Sequence, residues 1–306
     1  MKIAALAAGG VGGYFGARLA AAGHDVHFIA RGAHREAIEN NGLKVESVHG
    51  DLHLPRVNVT DDPAAVGPVD VVMFAVKLWD TEKAAVLAKP LVGANTRVIT
   101  LQNGVDSPER VAPILGAEHT VGGIAYIATV ITSAGVIKHT SQFATMRFGH
   151  PDKRPDATLD AFVAAAKAAK LDVNLSKNIS VERWEKFIFL TAMAGATASL
   201  RSPIGPIRGD PETKAFFRKL MEEAFAVGKA KGVAIDPAYL DSRMAFLETK
   251  VEPGMKASMA HDLERGNRLE LDWLNGKVRA LGKELNVPTP ASNAIWTMLK
   301  LHRMGH

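Results

Sequence analysis

The 306-residue sequence contains no cysteine. That absence excludes a disulfide framework, a cysteine nucleophile, thiolate metal sites and iron–sulfur clusters, and it accords with a reducing compartment. Long hydrophobic runs are missing as well, since no stretch approaches the ~18 apolar residues that a membrane span needs. Met1-Lys2 is followed by only six apolar residues, 3–8, before Gly9-Gly10. The apolar core of a secretory signal needs roughly 7–15, so this run reads as a first strand and the chain is expected in the cytoplasm. Charge of one sign is scarce too: 37 Lys+Arg stand against 32 Asp+Glu, a net +5. No basic run carries interleaved aromatics, so neither nucleic acid nor membrane is expected as a partner. A mild positive field suits small anionic ligands. Neither a G-x-S-x-G elbow nor a P-loop occurs. His302 and His306 have no third ligand in view, so no metal site is expected. Asp61-Asp62 precedes Pro63 and reads as a helix start.

What is present is an ordinary globular composition, 47% hydrophobic and 23% charged, in a chain long enough for two domains. The first half alternates short apolar runs (residues 3–6, 25–30, 69–76 and 97–101) with helical patterns such as 11–22. Unbroken apolar strands separated by helices imply a parallel sheet covered on both faces. From about Thr120 the pattern changes to three strands joined by turns, at 126–131, 135–139 and 145–148, an antiparallel extension at one edge. After Leu175 only helical patterns remain, at 181–200, 211–231, 237–249, 255–285 and 292–302. The fold class is therefore α/β plus all-α: a Rossmann-type parallel sheet at 1–174 and a helical domain at 175–306.

The loop after the first strand reads Ala7-Ala8-Gly9-Gly10-Val11-Gly12-Gly13. A dinucleotide fingerprint wants Gly at 7, 9 and 12, for a tight turn, for close approach of the pyrophosphate and for close packing of helix on strand. Positions 9 and 12 comply, whereas position 7 is Ala, whose Cβ is tolerable only if the turn keeps φ negative. The residues from Ala7 to Gly12, including Ala8, Gly10 and Val11, are the candidate cofactor loop, with free N–H groups of a helix N-terminus facing the pyrophosphate. The second strand ends at Arg31, with His34 and Arg35 close behind. An NAD site places a carboxylate there, whereas a guanidinium suits a 2′-phosphate, so NADP(H) is the expected cofactor.

Residues 1–32 and the motifs Val76-Lys77, Leu101-Gln102-Asn103-Gly104-Val105, Trp184-Glu185-Lys186, Ser258-Met259-Ala260-His261-Asp262 and Glu270-Leu271-Asp272-Trp273-Leu274-Asn275-Gly276 resemble those of the ketopantoate reductase (2-dehydropantoate 2-reductase) family nearly end to end. The resemblance implies a Rossmann domain joined to a helical domain with the active site between them. It implies Lys186 as the lysine that protonates the substrate carbonyl as hydride arrives from NADPH. Asn103 corresponds to an asparagine between nicotinamide and substrate, and Lys77 to a lysine lining the same site. Ser258 corresponds to a serine that binds the substrate carboxylate, and Glu270 to a glutamate that positions the reacting oxygen. Asp262, four residues after Ser258, shares its helix face at ~100° per residue and joins the substrate-binding set. On a straight helix Ser258 and Glu270 would lie ~18 Å apart in rise. They reach one small substrate only if the helix breaks, and Gly266 and Asn267 are the candidates for that break.

The chain departs from the family pattern at Leu190 and Ala194, where members commonly carry Asn on the lysine's own helix face. An apolar pocket has no power to demand a hydroxylated substrate. The expected reaction is NADPH-dependent reduction of a small anionic 2-oxo acid, ketopantoate first, as in pantothenate biosynthesis. The alternatives are a less polar 2-oxo acid or ketone, and a non-catalytic NADP(H)-binding sensor. The apolar faces of the helical domain leave a homodimer open.

Overall fold

The computed structural model describes residues 1–305, so His306 of the histidine pair lies outside the described residues. The chain divides into two compact units, Met1–Ile179 and Ser180–His306.

The first unit runs β1 (Lys2–Leu6), α1 (Gly10–Ala21), β2 (Asp25–Ile29), α2 (Gly32–Asn41), β3 (Leu43–Ser47), β4 (Leu52–Leu54), β5 (Asn58–Thr60), β6 (Val69–Phe74), α3 (Thr81–Leu87), β7 (Val92–Thr100), α4 (Ser107–Leu115), β8 (Thr120–Ser133), β9 (Val136–Gly149), α5 (Ala157–Ala168) and β10 (Asp172–Leu175). Nine strands stand in the order β4-β3-β9-β8-β7-β6-β1-β2-β5, and β10 pairs with β9. Neighbours from β8 through β5 are parallel, as is β3 with β9. The β8–β9 and β3–β4 pairs are antiparallel.

The period of two along a strand explains the uninterrupted apolar runs. Ile3 and Ala5 of β1 join one buried cluster with Tyr14 and Phe15 of α1 and Phe162 of α5. Ala4 and Leu6 join the other with Ala85 of α3 and Val111 of α4. Both faces are covered, so neither face selects polar side chains.

The antiparallel region departs from the sequence expectation in detail. It is a single hairpin of two 14-residue strands, turned at Ala134-Gly135, rather than three short strands. Nor does it form the edge, because β3, β4 and β10 lie beyond it. Those strands, and β5, are short; β3 (LKVES) and β10 (DVNL) mix buried with exposed positions, and β4 and β5 have no fully buried residue. They carry too little apolar sequence to announce themselves and form because a neighbour offers backbone partners: the hairpin for β3 and β10, β3 for β4, and β2 for β5.

The second unit continues through α6 (Ile179–Ser199), α7 (Ile204–Gly209), α8 (Pro211–Ala230), α9 (Tyr239–Thr249), α10 (Ser258–Glu264), α11 (Asn275–Glu284) and α12 (Pro290–Leu299). Its core stacks Phe189 of α6 edge-on to Phe217 of α8 and Phe246 of α9, at 5.9 and 5.8 Å between ring centres. The Tyr239 hydroxyl donates to the Glu185 carbonyl, tying α9 to α6.

The single helix expected over 255–285 is two. After Glu264 the chain reaches Gly266 in the left-handed region (φ 67), and Asn267 N–H donates to the Asp262 carbonyl at 2.8 Å. Glycine stops the helix because it takes this conformation without a Cβ clash. A tight turn at Leu271–Trp273 then leads into α11. Ser258 and Glu270 thus stand on different elements, and the separation computed for a straight helix no longer applies. Among the described residues, no helix is long and apolar enough to cross a membrane.

Candidate active site

In the first unit the candidate residues gather at one end of the sheet. Strands β7, β6, β1 and β2 are adjacent and parallel, so their C-terminal ends point the same way. Asn103 follows the end of β7 by three residues, Lys77 follows β6 by three, Ala7 follows β1 directly, and Arg31 follows β2 by two. At ~4.8 Å per strand the row spans roughly 14 Å. The carboxyl edge of parallel strands is where open α/β sheets bind ligands, because loops leave it to either side.

The loop itself is built by close packing. A Cβ on Gly12 would lie 2.3 Å from the Ala7 carbonyl oxygen, and one on Gly13 would lie 2.1 Å from Ile137 Cδ1. A Cβ on Gly10 would meet Thr129 Oγ1 at 2.6 Å. These glycines let α1 lie against β1 and the β8–β9 hairpin. Gly9 differs, with nothing within 4 Å of the Cβ position. It is the N-cap of α1, no side chain caps that terminus and no acidic residue sits in the first turn. The loop residues therefore fit a pyrophosphate, with open space at Gly9 and uncapped N–H groups at the positive end of the helix dipole.

Ala7 corrects the sequence reading. Its φ is +74, not negative. A left-handed Ala costs about 1–2 kcal/mol, so the turn keeps the shape a glycine would give it at an energetic cost. Neighbouring hydrogen bonds hold it there: Ala75 N–H donates to the Leu6 carbonyl at 3.1 Å and Ala8 N–H to the Ile29 carbonyl at 3.0 Å.

Arg31 precedes α2, and its side chain is 75% exposed with Asp80 at 3.9 Å. Arg35 is committed elsewhere, donating to Glu39 at 2.8 Å and Asp61 at 3.3 Å. His34 also has local partners, the Ala8 carbonyl and the Gly135 N–H. Of the three basic groups, Arg31 is the most exposed.

Lys77 is exposed, its ammonium 5.5 Å from the centre of the Trp79 ring. Sequence reasoning missed the residues behind it. Buried Gln102 donates to Thr81 Oγ1 at 2.8 Å, Thr81 donates to the Leu78 carbonyl at 2.9 Å, and Arg110 donates to the same carbonyl at 2.9 Å. These bonds tie the turn after Lys77 to the segment leading into Asn103. No local pattern signals them, because their partners lie 21 and 32 residues apart.

In the second unit Lys186 and Glu270 act on each other. Lys186 lies in α6, partly buried, and Glu270 is 6% exposed at the turn before α11. Loss of hydration lowers the Lys186 pKa from 10.5 to about 8, while the negative charge of Glu270 opposes the fall. A lysine so placed holds a proton at neutral pH and gives it up far more readily than one in water.

Ser258 is exposed at the first position of α10. The preceding residue is anchored to α6, with Ala257 N–H donating to buried Thr197 Oγ1 at 3.3 Å. The Asp262 carboxylate accepts from Asn267 Nδ2 at 3.2 Å at the helix break. On α6 the face continuing from Lys186 is Leu190, partly buried, and Ala194, fully buried.

The family model "Ketopantoate reductase PanE/ApbA" matches residues 3–153, and its C-terminal partner model matches 178–303. A 2-dehydropantoate 2-reductase of Mesorhizobium japonicum is 30% identical over 98% of this chain and 97% of its own. An uncharacterised oxidoreductase of Bacillus subtilis, YkpB, is 29% identical over 99% of both chains. The crystal structure of a PanE/ApbA family ketopantoate reductase from Ralstonia eutropha JMP134 superimposes with a TM-score of 0.90 at 33% identity, over 99% of this chain and 98% of that one.

Proposed function

This chain belongs to the ketopantoate reductase family, and from that premise we propose that it reduces a 2-oxo acid to a 2-hydroxy acid with NADPH. The substrate proposed first is 2-dehydropantoate, giving pantoate in a cytoplasmic pantothenate pathway. The observation that carries the reading is Lys186 with its pKa near 8 beside Glu270.

A reduced dinucleotide held at the loop Ala7–Gly12 would supply the hydride that the carbonyl carbon receives. The protein does the rest. The Lys186 ammonium gives its proton to the carbonyl oxygen as negative charge develops there, the role of a general acid. Glu270 keeps that lysine protonated and positions the reacting oxygen. Ser258 and Asp262 are assigned to the substrate's polar groups, Ser258 to its carboxylate. Asn103 is assigned to the junction of nicotinamide and substrate, and Lys77 adds positive charge for an anionic ligand. Ala7, Ala8, Gly9, Gly10, Val11 and Gly12 hold the pyrophosphate. Arg31 is assigned to the 2′-phosphate; its exposed guanidinium just past the end of β2 is the ground for preferring NADP(H) over NAD(H).

Leu190 and Ala194 favour a second reading with the same chemistry. One turn and two turns along the helix from Lys186 they offer no hydrogen bond, which suits a 2-oxo acid with an apolar side chain. The deciding measurement is NADPH oxidation with ketopantoate and a panel of 2-oxo acids. Turnover fastest with ketopantoate supports the first substrate, and turnover fastest with an apolar acid supports the second. Tight NADPH binding with no turnover on any of them would replace both with a non-catalytic sensor. Lys186→Ala is expected to lower kcat by ~10²–10⁴, and unchanged turnover would remove Lys186 from its role. A homodimer is the expected assembly, to be measured by sedimentation.

A further inference from the structure

Ala7 and His34 act on adjoining parts of one turn: Ala7 through its own backbone, and His34 through the carbonyl of the Ala8–Gly9 peptide that follows. Ala7 sits at φ +74, a conformation that an alanine leaves if nothing prevents it. The Ala7–Ala8 segment is fastened on several sides. Ala8 is 2% exposed and its N–H donates to the Ile29 carbonyl of β2 at 3.0 Å. Its carbonyl lies 2.8 Å from His34 Nε2, on α2. The other ring nitrogen, Nδ1, accepts the Gly135 N–H at 3.1 Å, from the turn of the β8–β9 hairpin. Because Gly135 is a donor, Nδ1 carries no proton and Nε2 carries the one given to Ala8. Both ring nitrogens are thus occupied, Nε2 by the Ala8 carbonyl and Nδ1 by the Gly135 N–H. The imidazole is not placed as an acid or base. It is a strut between the hairpin turn and the carbonyl one residue before Gly9.

We propose that His34 is a positioning residue for the dinucleotide: it holds the left-handed turn at Ala7 so that Gly9 and the first N–H groups of α1 keep the geometry a pyrophosphate requires. The inference rests on the cofactor reading above. Remove the imidazole and the Ala8 carbonyl loses its partner, the Ala8–Gly9 peptide is freed to turn, the strained Ala7 can relax toward negative φ by moving it, and the Gly9 N–H and the N–H groups beyond it turn with it. A glycine at position 7 has no such tendency. The need for His34 should therefore vanish in an Ala7→Gly variant. That dependence separates a strut for the turn from a residue that merely stabilises the domain.

The test is NADPH titration by fluorescence, with steady-state kinetics and thermal melting, on the wild type, His34→Leu, His34→Gln, Ala7→Gly and the double variant Ala7→Gly/His34→Leu. His34→Leu is expected to raise the Kd for NADPH about tenfold, the size of one lost hydrogen bond, with kcat at saturating NADPH and KM for the 2-oxo acid within about twofold. His34→Gln keeps an N–H donor for Ala8 and is expected to recover most of the loss. In the Ala7→Gly background, the His34→Leu penalty on Kd should fall to about threefold or less. An unchanged Kd in His34→Leu overturns the proposal. So does a penalty that is equal in the wild-type and Ala7→Gly backgrounds, and so does a fall in Tm and kcat with no change in Kd. A wild type that binds neither NADPH nor NADH removes the cofactor reading and this inference with it, whereas wild-type binding with an indifferent His34→Leu removes this inference alone.

Discussion

At the scale of single residues, the proposed chemistry depends on opposing influences at one ammonium. Burial drives the Lys186 pKa down from 10.5 to about 8, and Glu270 holds it from falling further. The reducing direction needs Lys186 protonated, so kcat/KM for the 2-oxo acid is expected to fall as pH rises through about 8. Replacing Glu270 by Gln removes the charge that raises the pKa, and the alkaline limb should then move to lower pH. A pH profile of Glu270→Gln lying on or above that of the wild type would contradict this electrostatic role. The same depressed pKa bears on stability. Between about pH 8 and 10.5 the unfolded chain holds this proton more firmly than the folded one. The contribution of Lys186 to folding therefore improves as pH rises across that window and is least favourable below it. The Trp184-Glu185-Lys186 motif was enough to single out Lys186 as a candidate. Its proton affinity was not legible there, since that depends on a carboxylate 84 positions away in the sequence.

At the scale of elements, long buried strands and long helices were readable, and short or interrupted ones were not. Strands β1 and β6 are apolar apart from Lys2 and Asp70 near their N-terminal ends, because both faces are covered. Strands β3, β5 and β10 take their conformation from a neighbour rather than from their own composition. The break at Gly266 lies inside a pattern that continues smoothly on either side, so periodicity alone ran through it. Helix α12 gives a clear case of an end fixed at long range. No side chain at its own N-cap bonds the terminus, yet the carboxylate of buried Glu223 on α8 accepts from Ala291 N–H and Ser292 N–H, both at 2.8 Å. An acceptor pair of this kind satisfies two donors that would otherwise be stranded in the core. Glu223→Gln turns one acceptor into a donor facing an N–H, and is expected to cost about 2–3 kcal/mol, read as a lowered urea midpoint. A midpoint within error of the wild type would show that the cap contributes nothing.

At the scale of the whole molecule, the candidate groups are divided between two units. The first carries the row from Asn103 and Lys77 through the glycine loop to Arg31, and the second carries Lys186, Glu270 and Ser258. A ligand that binds the folded chain and not the unfolded one raises its stability by about 2.7 kcal/mol at a hundredfold excess over Kd. NADPH is therefore expected to raise Tm more than NADH at equal concentration, and Arg31→Ala to abolish the difference. Equal shifts from the two dinucleotides in the wild type would remove the assignment of Arg31 to the 2′-phosphate.

The sequence by itself determined the parallel sheet, the passage to helices near residue 175, the glycine loop after β1 and the cation at the end of β2. Each of these is written in a run of neighbouring residues whose periodicity or chirality leaves few conformations open. Only the tertiary structure decided the sign of φ at Ala7, the proton affinity of Lys186 and the strut made by His34. These depend on partners up to 101 positions away, and hydrogen bonding, desolvation and charge act through distance in space, which the order of the chain does not contain.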